Sequence, residues 1–263
     1  MPTSALHVAR TGLEAQDKRM RVIANNLANI GTAGFKRDRV DFATLAYQEN
    51  RIAGQQSTNQ TAFATGLNLG TGVQVMGTTS IQSQGTLNQT GNTLDVALDG
   101  PGFFQVEIPP NGQIGYTRAG NFTLSAQGNL VTSQGFQLNP PIQVPQGARS
   151  IQIAPDGTVS AQQDGQAAPI QLGQLQVANF INPAGLQAIG DNFLIETAAS
   201  GPADVGLAGT FGRGNIRQGM LEGSNVNVVE ELVEMIEAQR AYEINSRMVS
   251  AVDEMLRNAN QTL

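Results

Sequence analysis

Asp95 and Asp99 stand four residues apart in the run Leu94-Asp95-Val96-Ala97-Leu98-Asp99. Two carboxylates are the minimum equipment for glycoside hydrolysis, so a hydrolase of cell-wall glycan is the enzymatic alternative. Their even spacing in a strand-like run puts both on one side of a strand, where turn and structural duties already explain them. His7 is the single histidine and cysteine is absent. Thiol nucleophiles, disulfides and multi-histidine metal centres are thereby excluded, and His7 is expected to be a surface or packing residue. Neither the phosphate-binding pattern G-x-x-x-x-G-K-[ST] nor the nucleophile pattern G-x-S-x-G occurs. Lys36-Arg37 and Arg39 read as a solvated basic turn or as one side of an ion pair with the acidic C-terminal arm, which contributes little if exposed. The expectation is a protein that is not an enzyme and carries no cofactor.

Composition supports a structural role. The 263-residue chain has only 14% charged residues, against roughly 25% in an ordinary soluble domain. Its polarity is carried by 27 Gln and 21 Asn. A net charge of −6 and a pI near 4.8 speak against a nucleic-acid partner. No apolar run reaches the roughly 18 residues of a membrane span, so no direct membrane insertion is expected. Residues 1–10 lack a basic segment followed by an apolar one, so a cleaved secretory leader is not expected either.

The candidate residues are positioned by two helical ends around a strand-rich middle. Leu6, Leu13, Met20 and Leu27 recur every seven residues, with Ala9, Gln16, Ile23 and Ile30 as a companion row. That is an a/d seam, and it ends at Gly31-Thr32-Ala33-Gly34. At the other end Asn227 is a predicted N-cap with Glu230 three residues on. Val228, Met235, Tyr242, Val249 and Leu256 then form a second seam, and a further stripe runs through Ala241, Ile244, Met248, Val252, Met255 and Ala259. Two stripes on one helix predict more than one neighbour.

Between the ends, short Val, Ile, Leu, Phe and Thr runs alternate with turns at Asn111-Gly112, Gln127-Gly128, Asp156-Gly157 and Asp164-Gly165. This is hairpin chemistry and predicts antiparallel strands. Residues 48–66 are polar and lack a seam; they read as a flexible loop in a free chain and an ordered hairpin in a polymer. The fold class is therefore α+β: a discontinuous coiled coil from both termini plus central antiparallel β-rich domains. The divisions are 1–34, 35–95 (including 48–66), 96–204, 205–221 and 222–263. Residues 1–44 carry +3 and residues 222–263 carry −5, so the two ends attract. The simplest reading is that the two ends pair with each other or with copies of themselves, with seams weakly stable in a lone molecule and ordered once neighbouring copies bury them.

The run from Ile23 to Arg37, with Asn25, Asn26, Asn29, Gly34 and Phe35, resembles the N-terminal signature of the bacterial flagellar basal-body rod and hook proteins. Ser224-Asn225-Val226-Asn227 and Ala238-Gln239-Arg240-Ala241-Tyr242-Glu243 resemble their C-terminal signature. Leu94 to Phe104 and Tyr116 to Phe122 are further marks of the family. Within it, the length and the stretch holding Tyr47, Gln48, Arg51, Gln55, Gln60 and Gly66 are similar to the distal-rod branch, in which that stretch stiffens the rod. The resemblance implies a self-assembling hollow tube, the flagellar drive shaft, spanning the periplasm. It implies as partners further copies of the chain, proximal rod proteins, the hook protein, the rings around the rod and the type III export apparatus. It also implies amide hydrogen bonds at helix ends or between subunits for the Asn residues. A proximal-rod or hook paralogue, or a β-rich secreted fibre or adhesin, is the alternative.

Overall fold

The computed structural model describes every residue except Met1, Ile52, Ala53, Gln55, Asn59, Gln60, Pro110, Asn111, residues 164–167, Thr262 and Leu263. The chain forms two compact units. One, the helical unit, comprises residues 1–27, 38–79 and 227–263; the other, the β unit, comprises residues 28–37 and 80–226.

In the helical unit, α1 spans Pro2–Ala28 and α2 spans Val228–Gln261. The N-cap of α2 is as predicted: Asn227 Oδ1 accepts from the Val229 N–H at 3.1 Å. The two helices run antiparallel and touch at seven-residue steps. Asn26 meets Glu231, Arg19 meets Glu234 and Glu237, and Gly12 lies under Asn245. A Cβ on Gly12 would stand 3.0 Å from the Asn245 amide, so glycine sets the closeness of approach there. The two ends pair with each other, as the fold class predicts, and the expectation that their seams find a partner only in neighbouring copies is corrected. Each helix covers one face of the other within a single molecule.

The same unit holds strands Asp38–Thr44 and Val73–Ser80, which pair with each other. Between them, the described residues of the polar stretch form paired strands. Tyr47–Arg51 pairs antiparallel with Leu67–Gly70, and Gln56–Thr58 pairs with Thr61–Ala62. Arg51 stacks over the Phe63 ring at 4.1 Å, which supplies an apolar contact that a reading of polarity alone misses.

The β unit is antiparallel throughout its paired strands, as hairpin chemistry predicts. Among the described residues its largest sheet has nine strands, centred on Phe103–Ile108. That strand pairs with Gln113–Thr117, Gln137–Leu138 and Gln176–Asn179. Successive side chains leave a strand on opposite faces. Phe104 therefore enters the main core, edge-on to Phe122 with ring centroids 5.3 Å apart, beside Val96, Leu98, Val177 and Ile216. Phe103 enters a smaller cluster with Tyr116, Ala178 and Phe180. Two of the predicted turns are present at Gly128 and Gly157, both with positive φ. Asn111 and the Asp164-Gly165 turn lie outside the described residues.

Candidate functional site: an outward helix face and a buried charge cluster

On α2 the most deeply covered positions are Glu231, Ala238 and Val252, with Asn245 half-buried between them. This heptad row is three residues out of phase with the predicted row Val228, Met235, Tyr242, Val249 and Leu256. In that predicted row Met235, Val249 and Leu256 are half-buried, whereas Val228 and Tyr242 are exposed. On α1, Ile23, Ala9 and Ala15 are buried, and Leu6, Leu13, Met20 and Leu27 are half-buried. Ile30, in the β unit, is also half-buried.

The other side of α2 is apolar and uncovered. Val233, Ile244 and Met255 repeat every eleven residues, three helical turns, and are 51%, 61% and 62% exposed. Val229, Ile236 and Met248 extend the same stripe and are at least half exposed. At 100° per residue this stripe lies opposite the Glu231–Ala238–Val252 row. The helix thus has two apolar faces, and its own chain supplies a partner for only one. Gln239, Arg240 and Glu243 are exposed beside them.

Buried polar groups hold each unit in register. In the helical unit, Asn26 is 1% exposed; its amide donates to the Asp38 carbonyl at 2.9 Å and to Glu231 Oε2 at 3.1 Å, and accepts from the Asp38 N–H at 3.0 Å. A hydrogen bond at the helix end is the role the resemblance implied for it. Asn25 is exposed on the same helix.

In the β unit, Asn29 closes the end of α1 with Thr32. Gly34 follows at φ 72°, and a Cβ there would come within 2.6 Å of the Arg118 backbone, so only glycine fits. Phe35 is half-buried, and its carbonyl accepts from the Asn225 N–H. Asn225 Oδ1 accepts from the Arg37 N–H at 2.7 Å, and its amide donates to the Ile81 and Ser83 carbonyls.

Lys36 departs from the reading of a solvated basic turn and meets the other expectation, an ion pair with the acidic segment from residue 222, but buried and not exposed. It is enclosed and donates to Glu222 Oε1 at 2.5 Å and to the Ser83 carbonyl at 2.7 Å. Arg118 reaches Glu222 Oε2 at 3.1 Å and lies over the Phe103 ring. Burial pushes the Lys36 ammonium below its ordinary value, and the Glu222 carboxylate opposes that shift. Burial likewise lowers Arg118. Glu222 and Arg118 escaped the sequence reading; Arg118 sits in the quoted Tyr116–Phe122 motif, but nothing in the local pattern links it to residues about a hundred positions away.

The remaining candidates fall outside any chemical site. Asp95 accepts from Thr90 and Asn92 as a turn brace, and Asp99 pairs with Arg217 near the surface. His7 is exposed. Among the described residues no group of three His, Asp or Glu side chains is placed to hold a metal ion, and no helix is long and apolar enough to cross a membrane. Tyr47 is exposed, Gln48 pairs through its backbone with Leu69, and Gly66 is exposed ahead of the returning strand. Gln55 and Gln60 lie outside the described residues.

Comparison with known proteins agrees with this geometry. Residues 6–36 match the family described as flagella basal body rod protein. Residues 97–161 match the flagellar hook protein FlgE/F/G D1 domain, and residues 217–262 the flagellar basal body rod FlgEFG protein C-terminal family. The flagellar basal-body rod protein FlgG of Buchnera aphidicola subsp. Acyrthosiphon pisum is 48% identical over 257 residues, covering 98% of each chain. That of Buchnera aphidicola subsp. Schizaphis graminum is 48% identical over 258 residues, again with 98% of each chain covered. FlgG of Agrobacterium fabrum is 46% identical over 252 residues, covering 95% of this chain and 96% of its own. This chain belongs to the flagellar basal-body rod protein family, as a structural, non-catalytic subunit closely related to FlgG.

Proposed function

We propose that this subunit polymerises into the rigid hollow distal rod of the flagellum through the uncovered face of α2. The single observation that carries the reading is the second apolar stripe, Val233, Ile244 and Met255 with their neighbours, left open after α1 has covered the opposite face. Soluble proteins rarely leave so long an apolar strip exposed without a partner for it. A contact between unlike faces of identical subunits whose rotation does not close into a ring grows as a helical filament. The acidic C-terminal arm and the basic N-terminal arm give such a contact a preferred sense at low salt.

In this reading the rod transmits torque from the motor to the hook and continues the export channel. Proximal rod proteins, hook protein, the surrounding rings and the type III export apparatus are its partners, and the periplasm is its location. The hairpin from Tyr47 to Gly70 lies against neighbouring copies and stiffens the tube.

The experiment is polymerisation of Ile244→Asp/Met248→Asp, followed by sedimentation and electron microscopy. The expected result is a folded monomer whose critical concentration rises at least about a hundredfold, since each buried unpaired charge costs several kcal/mol. Straight tubes at the wild-type concentration reject the reading. Removal of residues 48–66 tests the stiffening role separately: tubes that curve are expected, and tubes as straight as wild type reject it.

A further inference from the structure

Glu222 ends the strand Met220–Glu222, is fully enclosed, and accepts from four donors on three segments at once. Its Oε1 accepts from Lys36 Nζ and from the Gly85 N–H at 3.0 Å, its Oε2 from Arg118, and its backbone carbonyl from the Gly34 N–H at 2.8 Å. The two cations it faces are each only 6% exposed at the side chain. Their other acceptors are neutral backbone carbonyls, of Ser83 for Lys36 and of Gly100 for Arg118. Take the carboxylate away and two like charges remain enclosed with no anion. A buried pair broken on one side is strongly unfavourable, because the survivor keeps its desolvation cost and loses its attraction.

The carboxylate also arrives from far away. Lys36 and Glu222 are separated by 186 residues, and Arg118 and Glu222 by 104. Asn225, three residues beyond, ties the same segments with neutral bonds, to the Arg37 N–H and to the Ile81 and Ser83 carbonyls. Residues 34–37, 81–85 and 100–118 therefore share one requirement, met only by the strand that returns near the end of the chain.

We propose that Glu222 is the closing latch of the β unit: the unit stays open until the returning strand brings this carboxylate between Lys36 and Arg118. A chain supplied from its N-terminus is then held unfolded until nearly all of it is present. The latch is electrostatic, so it disappears when all three members are replaced by apolar groups of similar length. Such replacement of a buried charge group is often neutral for stability.

The test is refolding of the full-length chain from denaturant with pulsed hydrogen exchange, read by mass spectrometry on peptides covering 103–117 and 215–222. In the wild type both peptides gain protection with rate constants within twofold of each other. Protection of 103–117 at least tenfold ahead of 215–222 overturns the proposal. In Lys36→Met/Arg118→Met/Glu222→Met the hairpin 103–117 is protected at least tenfold ahead of 215–222. Simultaneous protection there overturns the assignment to charge. In native Glu222→Gln, exchange across 34–37 and 81–87 is about a hundredfold faster than in the wild type, as expected for a broken buried pair. Exchange within threefold of wild type overturns the latch.

Discussion

The two units solve the burial problem in opposite ways. The β unit closes on itself: Val96, Leu98, Phe104 and Val177 are wholly enclosed, and even its strongest charges are paired inside. The helical unit covers one face of α2 with α1 and leaves the opposite apolar face in solvent. A region that completes its own core is a fixed building block. A region that completes only half of it carries information about a neighbour. That division suits a subunit in which one part must be rigid on its own and another must gain its final packing from assembly.

The largest effect that separates the two is expected from Phe104→Ala. Its ring is fully buried and packed edge-on against Phe122, so truncation leaves a cavity in the main core. The cost is about 3–5 kcal/mol. Exchange protection is lost across the β unit, while the α1–α2 pair keeps its helical signal. Equal loss in both units breaks the contrast, because it makes them one cooperative block.

A smaller effect is expected inside the helical unit. Asn26→Ala removes three hydrogen bonds, two with the Asp38 backbone and one to the buried Glu231. About 2 kcal/mol of stability is at stake, read as a lower urea midpoint for helix loss. Because a buried polar pair also sets helix register, spin labels on α1 and α2 should report a broadened distance distribution. A narrow wild-type distribution in the variant sharpens the comparison the other way, assigning register to the Arg19–Glu234 and Gly12–Asn245 contacts.

How much of this was legible beforehand follows from what each signal can carry. The two helices, the Asn227 cap and the antiparallel middle rest on local periodicity and turn chemistry, which act within a few residues. The phase of α2 was not legible, because the covered row contains Glu231 and Asn245. A search for apolar repeats skips them in favour of Met235 and Val249. The uncovered stripe is partly visible: the second row holds Ile244, Met248 and Met255, which are exposed, but also Val252, which is buried on the covered side. Burial of Lys36 was not visible: its partner lies 186 residues away, and charge alone predicts solvent. The hairpin that begins at Tyr47 is expected only in a polymer, because its polar composition shows no apolar contact, and the Arg51–Phe63 stack supplies one.

The smallest expected effect concerns acid. Asp41 on strand Asp38–Thr44 accepts from the Thr79 hydroxyl on strand Val73–Ser80 and from Arg39. The Thr79 hydrogen bond, aided by the Arg39 charge, holds its carboxyl below the ordinary value of 3.8. A carboxyl depressed in the folded state contributes stability above the unfolded value, and that contribution is lost as pH falls through the folded value. Asp41→Asn should therefore be slightly less stable than wild type near neutral pH, with the two urea midpoints converging as the solution is taken below 3.8. The screened, exposed position of the carboxylate makes the gap at neutral pH small. Because the pair lies in the helical unit, exchange in Asp41→Asn should quicken only along the two strands it joins. A gap that persists unchanged into strong acid would show that Asn fails through geometry and not through lost charge, and the acid sensitivity of this sheet would then belong to another group.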